Sequence, residues 1–483
     1  MKLADVLNGL VYDLLSGTID SVVDRLTIDS RQATVDTLFV CIAGFQVDGH
    51  DFIDQAHARG ATTFVVEKEV IVPVNSTVIK VSNSRQALAT IAHRFYGKPN
   101  TGINMIGVTG TNGKTSVSFY IQSILLYHGQ RTGLIGTVST QLDHEVIDIK
   151  FATSTTPDTI ELMQIIQYIK QKQAQHLVME VTSHALALHK VDALSFDVSV
   201  FTNLTQDHLD LHGTMENYRD AKAKLFTMSD TSIINIDDPY GEHMKNMAKG
   251  KVMTYSIDQP SDLQATNITY SPTGSTFDLY LFGKVYHLNL PIAGRFSVYN
   301  ALGSIGAAYH LGVPVATIQQ ALENFKTVPG RIDAVENDKN LNVIVDYSHT
   351  PDSLKTIILT VKAFTKGRVI TVFGCGGDRD NAKRPLMAKE ASIHGDFTIM
   401  TSDNPRTEDP EHILDQVEKG IIGEQYERIT DREEAIHRAV QLMTPDDTVI
   451  IAGKGHETYQ IFKDKTIDFD DKQVALHAIN KLK

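Results

Sequence analysis

Met105-Ile106-Gly107-Val108-Thr109-Gly110-Thr111-Asn112-Gly113-Lys114-Thr115 decides the fold class of this chain. Its first five residues are a short apolar run, and the glycine-punctuated turn that follows ends on Gly113-Lys114-Thr115. Beyond it, Val117, Tyr120, Ile121, Ile124 and Leu125 keep helical spacing until Gly129 ends the pattern. A strand, a glycine-rich turn and a helix in that order are the setting of a phosphate-binding loop. The glycines let backbone N–H groups converge on phosphate oxygens, and the helix N-terminus adds partial positive charge. Lys114 supplies a point charge and the Thr115 hydroxyl can ligate magnesium, so the segment from Gly110 to Ser116 points to a nucleoside triphosphate. The common GxxxxGK[ST] spacing asks for glycine at 108, where this chain has Val108. A glycine-rich turn without a ligand is the alternative, and the Gly-Lys-Thr ending in this context speaks against it.

Working outward, the same rhythm recurs: a β-branched run, a polar turn, an amphipathic helix, another run. Further runs are Leu177–Val181, Val198–Phe201, Ser232–Asn235, Val343–Asp346, Val369–Phe373, Phe397–Met400 and Val449–Ile451. Most lead straight into polar clusters, among them Thr182-Ser183-His184, Tyr347-Ser348-His349, Gly376-Gly377-Asp378-Arg379, Asp403-Asn404-Pro405-Arg406 and Gly453-Lys454-Gly455-His456-Glu457. Ligands of open parallel sheets bind beyond the carboxyl ends of the strands, so an active site between two such sheets is expected. The first hundred residues read differently, with apolar–polar alternation over Asp36–Ile42 and a small α/β pattern. Proline and glycine punctuate the pattern near Lys98-Pro99-Asn100 and Val328-Pro329-Gly330-Arg331. The expected α/β chain therefore has three domains: a small α/β domain over 1–99, a central parallel-sheet ATPase domain over 100–329, and a Rossmann-like domain over 330–483.

Composition agrees and removes several function classes. At roughly 150 residues per domain, 483 residues make about three domains. With 42% hydrophobic and 21% charged residues the chain should fold throughout. Forty-five basic side chains against 58 acidic ones, a balance of −13, make nucleic acid and anionic membranes poor partners. Cys41 and Cys375, the two cysteines, are too far apart for a CxxC site, so a disulfide framework or Cys-ligated zinc is not supported and a reducing cytoplasm is expected. No apolar run approaches the roughly 18 residues of a membrane span.

Two charged residues sit where charge is costly. Glu180 interrupts the apolar run Leu177–Val181, and burying a carboxylate without a partner is expensive. It is either a ligand for magnesium on the triphosphate or half of a structural salt bridge. Lys222 shares a helical stripe with Tyr218, Ala221 and Leu225, which Lys224 does not. Such an inward lysine either snorkels or keeps a desolvated, uncharged amine for chemistry. His184, His189, His208 and His212 follow loosely, without the pattern of a zinc site.

Taken together these motifs resemble the Mur ligase family. The resemblance spans nearly the whole chain and rests on Gly110–Thr115, Glu180–His184, Asp207–Gly213, Tyr218–Lys222, Asn300, Gly330-Arg331, Asp346–Pro351, Gly374–Asp380, Asp403–Arg406 and Gly453–Glu457. The family's GTNGKT variant also accounts for the missing glycine. The resemblance implies ATP-dependent amide-bond synthesis in cytoplasmic peptidoglycan assembly by a monomer. Its domains would bind a UDP-sugar peptide, ATP and an amino acid in that order. Lys114 and Thr115 would hold phosphates and magnesium, while Glu180 and His208 would complete metal sites. Lys222 would be a carbamylated lysine whose added carboxylate ligates magnesium. Asn300, Arg331 and Asp346 would contact the nucleotide. Ser30 and Phe45-Gln46-Val47 would meet the UDP-sugar, and Thr155, Thr156, Thr182 and Lys190 its peptide end. Leu188 and Lys190 stand where diaminopimelate-adding members often carry glutamine and arginine.

The substrates so implied are UDP-N-acetylmuramoyl-L-Ala-D-Glu and meso-2,6-diaminopimelate. The D-glutamyl γ-carboxylate would first be phosphorylated by ATP and then attacked by the amine. Arg406 offers a planar fork for the distal carboxylate, which diaminopimelate has and lysine lacks. Arg379, Asp403, Asn404, Pro405, Gly453 and Glu457 would complete the pocket. Read alone, Asn404-Pro405 is better taken as an ordinary turn. Three other functions remain open from the sequence: the same ligation with L-lysine, a folylpolyglutamate synthase-like ligase, and a nucleotide-binding regulatory switch.

Overall fold

A computed structural model describes residues 1–45, 47–147, 155–271 and 274–482. Gln46, one of the expected UDP-sugar contacts, lies outside the described residues. Among the described residues three large sheets follow one another along the chain, and Tyr459–Ile461 and Thr466–Asp468 pair as a separate two-stranded antiparallel sheet.

The first sheet has five strands in the order Asp13–Ser16, Thr77–Lys80, Thr63–Val66, Thr37–Val40, Arg25–Thr27, parallel except at the Asp13–Ser16 edge. The alternation read over Asp36–Ile42 does not mean one wet face. Thr37, Leu38, Phe39, Val40 and Cys41 are all fully buried. Leu38 and Val40 join a core with Leu3 and Ile91, whereas Phe39 and Cys41 join another with Ile53 and Phe64. The strand lies inside a parallel sheet covered on both faces, so period two sorts residues between two cores.

The second sheet has eleven strands, with Asn104–Thr109 between Phe196–Phe201 and His176–Glu180, all parallel. The helix Lys114–Tyr127 returns across it and packs against Arg295–His310, and Val117, Tyr120, Ile121, Ile124 and Leu125 are buried in that interface as their spacing requires. The sheet is mixed. Leu263–Ser271, Gly274–Leu281 and Lys284–Leu290 form an antiparallel meander at one edge. These strands carry threonine, asparagine and tyrosine on exposed positions, so they lack the apolar runs by which the buried parallel strands are recognised.

The third sheet, in the order Asp333–Ala334, Asn342–Asp346, Thr448–Ala452, Val369–Cys375, Phe397–Ser402, Tyr426–Arg428, is parallel apart from its first strand. The segment before its first strand and the first turns of the helices Pro351–Lys362 and Lys383–His394 meet the phosphate-loop side of the second sheet. Arg331 Nη2 donates to Thr115 Oγ1 at 3.2 Å, Asn112 Nδ2 to Asp352 Oδ2 at 3.2 Å, and Lys383 Nζ lies 3.9 Å from Asp207 Oδ1. The carboxyl ends of both sheets therefore face one cleft. Among the described residues no helix is long and apolar enough to cross a membrane.

Candidate active site

The loop after Asn104–Thr109 is held open by its neighbours. Thr111 N donates to Asn203 O at 2.9 Å and Asn112 N to Asn203 Oδ1 at 2.9 Å. Thr202 Oγ1 donates to Asn112 O at 2.6 Å. These bonds tie the turn to the strand Phe196–Phe201 and its exit loop. Gly113 takes φ +84° as the helix begins, a left-handed conformation that favours glycine.

Two lysines converge on this loop. Lys114 Nζ donates to Gly110 O at 2.9 Å and Thr111 O at 2.8 Å. Lys222 Nζ, on the helix Met215–Thr227, donates to the same Gly110 O at 2.8 Å and lies 4.7 Å from the centre of the Tyr218 ring. Lys222 is 1% exposed, so it does not snorkel. Burial drives its amine well below the usual lysine range, and the charge of Lys114 pushes it further down. Burial lowers Lys114 as well, against the pull of Glu180 and Asp207.

Glu180 ends its strand 1% exposed and forms no ion pair among the described residues. Its Oε1 accepts from Thr137 N at 2.9 Å and its Oε2 from Thr137 Oγ1 at 3.0 Å. His208 takes φ +54° beside Asp207, with Nε2 3.4 Å from Asp207 Oδ2 and its ring 4.7 Å from that of His184. Burial lowers His208 despite the nearby Asp207 carboxylate, which favours the neutral ring. Among the described residues no three His, Cys, Asp or Glu side chains form a ready metal cage. The oxygen and nitrogen donors here, Thr115, Glu180 and His208, are of the kind a hard cation accepts.

A cavity of about 320 Å³ opens between the two sheets beside the loop. Asn112, Gly113, Ser116, Asn300, Arg331 and Asp346 all line it, which brings together residues more than 200 positions apart in sequence. Asp346 is anchored by Ile332 N at 2.8 Å and Ser348 N at 2.9 Å. Arg331 stacks over Tyr347, 4.6 Å from its ring centre.

In the third domain, Asn404 Nδ2 donates to Glu457 Oε2 at 2.8 Å, and Arg406 Nη1 donates to Gly377 O at 2.9 Å and Asn404 O at 3.3 Å. Arg406 has φ +53° and is part-buried; burial lowers its guanidinium, and Arg379 adds to that shift. A Cβ on Gly376 would lie 2.9 Å from Arg406 Nη1 and 3.8 Å from Arg379 Cγ, and one on Gly453 would lie 2.6 Å from Asp403 Oδ2. Arg379, Asp403, Asn404, Pro405, Arg406, Gly453 and Glu457 thus share one end of the third sheet. Beneath them Arg432 and Asp471, both wholly buried, pair at 2.7 Å while Arg432 also donates to Ser402 O and Ala452 O, tying the two strands that lead into the pocket.

Near Glu180, Thr155 Oγ1 is 3.0 Å from Thr137 Oγ1, Thr156 Oγ1 is 3.1 Å from Thr182 Oγ1, and Thr182 caps the helix Ser183–Ala187. Lys190 is engaged with Asp158 at 2.5 Å, an ion pair within the protein. In the first domain Ser30 donates to Gln55 Oε1 at 2.6 Å, while Phe45 and Val47 are 77% and 63% exposed on one loop. Several neighbours carried no signal in sequence. Thr137, Asn203 and Thr202 act through hydrogen bonds to residues distant in sequence, and Lys383 reaches Asp207 only through tertiary folding.

The chain matches three family descriptions in order: the Mur ligase family catalytic domain over 22–96, the Mur ligase middle domain over 108–308, and the Mur ligase glutamate ligase domain over 330–455. It is 44% identical to a UDP-N-acetylmuramoyl-L-alanyl-D-glutamate–2,6-diaminopimelate ligase of Clostridium perfringens, covering 98% of this chain and 99% of that one. It is also 44% identical to one of the same name from Halalkalibacterium halodurans, covering 100% and 99%. A solved structure of a ligase so named superposes with a TM-score of 0.72 at 30% identity, over 99% of each chain. Strand-end clusters, phosphate loop and all three domain matches therefore agree, and the chain belongs to the Mur ligase family.

Proposed function

We propose that this protein is an ADP-forming ligase that joins meso-2,6-diaminopimelate to the D-glutamyl γ-carboxylate of UDP-N-acetylmuramoyl-L-Ala-D-Glu. Residues 1–99 would take the UDP-sugar, 100–329 ATP, and 330–483 the amino acid. One observation carries the reading: the phosphate loop with its two lysines is met across the cleft by Arg331, which donates to Thr115 Oγ1, so the third sheet's domain adjoins the loop.

ATP would place its phosphates on the loop from Gly110 to Ser116, with Lys114 as counter-charge, and its nucleoside against Asn300, Arg331 and Asp346. The Lys222 amine, shifted toward its uncharged form by burial, would add to carbon dioxide, forming an N–C bond and releasing one proton. With that carbamate, the Thr115 hydroxyl, the Glu180 carboxylate and the His208 imidazole would hold magnesium, which supplies positive charge against the crowded phosphate oxygens.

A γ-carboxylate oxygen then attacks the terminal phosphorus, ADP leaves, and an acyl phosphate forms. Lys114 offsets the negative charge that accumulates as oxygens approach. The amine attacks the acyl carbon, phosphate leaves with the C–O electrons, and the amine proton is lost to solvent. Thr155, Thr156, Thr182 and Lys190 would position the peptide end, and Ser30, Phe45, Gln46 and Val47 the UDP-sugar. Closure of the cleft excludes water that would hydrolyse the intermediate. Arg406 would pair with the distal carboxylate of diaminopimelate, with Arg379, Asp403, Asn404, Pro405, Gly453 and Glu457 around it.

Product identification tests this directly. Incubation with ATP, the UDP-sugar dipeptide and diaminopimelate is expected to give ADP and the UDP-sugar tripeptide by mass spectrometry. Equal turnover with L-lysine would overturn the choice of amine. Phosphate release with tetrahydrofolate and glutamate would favour the folylpolyglutamate reading, and ATP hydrolysis without any amide product would favour a switch.

A further inference from the structure

Lys454 is 0% exposed, yet its ammonium is fully provided for. It donates to Asn404 Oδ1 at 3.2 Å and Glu457 Oε2 at 3.1 Å, and lies 5.4 Å from the centre of the Tyr459 ring. Three N–H groups thus meet two oxygens and a π-face. Asn404 Oδ1 also accepts from Ile461 N at 2.9 Å. An amide whose oxygen is doubly engaged cannot turn over without losing both bonds, so Asn404 is restricted to presenting N–H. One N–H goes to Glu457 Oε2. The second is left over, and Glu457 Oε1 takes no hydrogen bond from the described residues.

We propose that Lys454 is a positioning residue of the amino-acid pocket: it orients the Asn404 amide and the Glu457 carboxylate so that one N–H donor and one bare carboxylate oxygen face the incoming amino acid. That pair complements a zwitterionic α-amino-acid head, the donor toward its carboxylate and the oxygen toward its ammonium. Without the ammonium, Oε2 would keep only Asn404 Nδ2 and Oδ1 only Ile461 N, so the carboxylate and the amide would each be held by one bond fewer. The inference rests on the reading above of Asn404 and Glu457 as amino-acid contacts.

The test is a double-mutant cycle on the full-length protein. Lys454→Met should raise KM for diaminopimelate on the order of tenfold or more, the effect of one lost charge-assisted hydrogen bond, and leave KM for ATP and for the UDP-sugar dipeptide unchanged. In the Glu457→Gln background the same substitution should add little, because the carboxylate it orients is already gone. If Lys454→Met does not fold, Lys454→Gln, which retains a donor for Asn404 but no charge beside Glu457, should give the same split between substrates. A rise in all three KM values, or full additivity with Glu457→Gln, would overturn the proposal. Glu457→Gln without any change in KM for diaminopimelate would instead remove the reading of the pocket.

Discussion

Lys114 and Lys222 both end on one atom, the carbonyl oxygen of Gly110, at 2.9 and 2.8 Å. Burial first, and then repulsion between two ammonium groups sharing one acceptor, shifts Lys222 toward its neutral form. Carbamylation needs that form. Protein equilibrated with 13C-labelled bicarbonate is expected to show a carbamate carbon signal by NMR. Lys222→Arg, whose guanidinium stays charged, should lose both the signal and ligation. A signal that survives in Lys222→Arg would place the carbamate elsewhere.

Gly113 begins the helix at φ +84°, and a Cβ there would lie 2.5 Å from Asn300 Oδ1. Gly113→Ala therefore combines a left-handed backbone with a collision inside the nucleotide cavity. Strain of this kind costs of order 1–3 kcal/mol. KM for ATP is expected to rise on the order of tenfold or more, with KM for diaminopimelate unaltered, in a coupled ADP-release assay.

Arg406 is held by backbone carbonyls through Nη1, which leaves the rest of its fork for a carboxylate. Replacing it with alanine is expected to lower kcat/KM for diaminopimelate by about 10- to 100-fold, in line with a charge-assisted bond of roughly 1.5–3 kcal/mol. Lysine, without a distal carboxylate, should be used no worse than before. An unchanged ratio of the two amines would show that the discrimination lies in another residue.

Asp447 bears on acid stability. Its buried carboxylate accepts from Arg368 N at 2.6 Å, Arg368 Nη2 at 2.8 Å and Thr444 N at 2.9 Å. Burial raises it, but the Arg368 and Thr444 bonds outweigh that and hold it at about 2. A folded value below the unfolded one, about 3.9, means the stabilisation is present above about pH 4 and is lost as pH falls through about 2. Asp447→Asn is expected to lower unfolding free energy by about 2 kcal/mol near neutrality, measured by urea titration. The gap between variant and parent should narrow towards pH 2.

Local physics made part of this legible in advance. Strand, glycine turn and helix around Gly110–Thr115 are read from spacing alone, and Lys222 announces itself because one charged position falls on an apolar stripe. Glu180 stands out in the same way within its strand. The edge meander Leu263–Leu290 escaped notice because its strands are half-wet and rich in threonine, so they lack a continuous apolar run. Lys454 lay within a polar cluster, where nothing local distinguishes a buried ammonium from a solvated one.

Covalent order, then, determined which segments become strands and helices, where a phosphate can sit, and which charges go inward, since these depend on periodicity and on neighbours a few residues away. Tertiary structure decided the rest: that Arg331 reaches Thr115, that Asn300 meets Gly113, and that Lys454 sits under Asn404 and Glu457. Hydrogen bonds end within about 3.2 Å, and only the packing of whole sheets brings residues so distant in sequence within that reach.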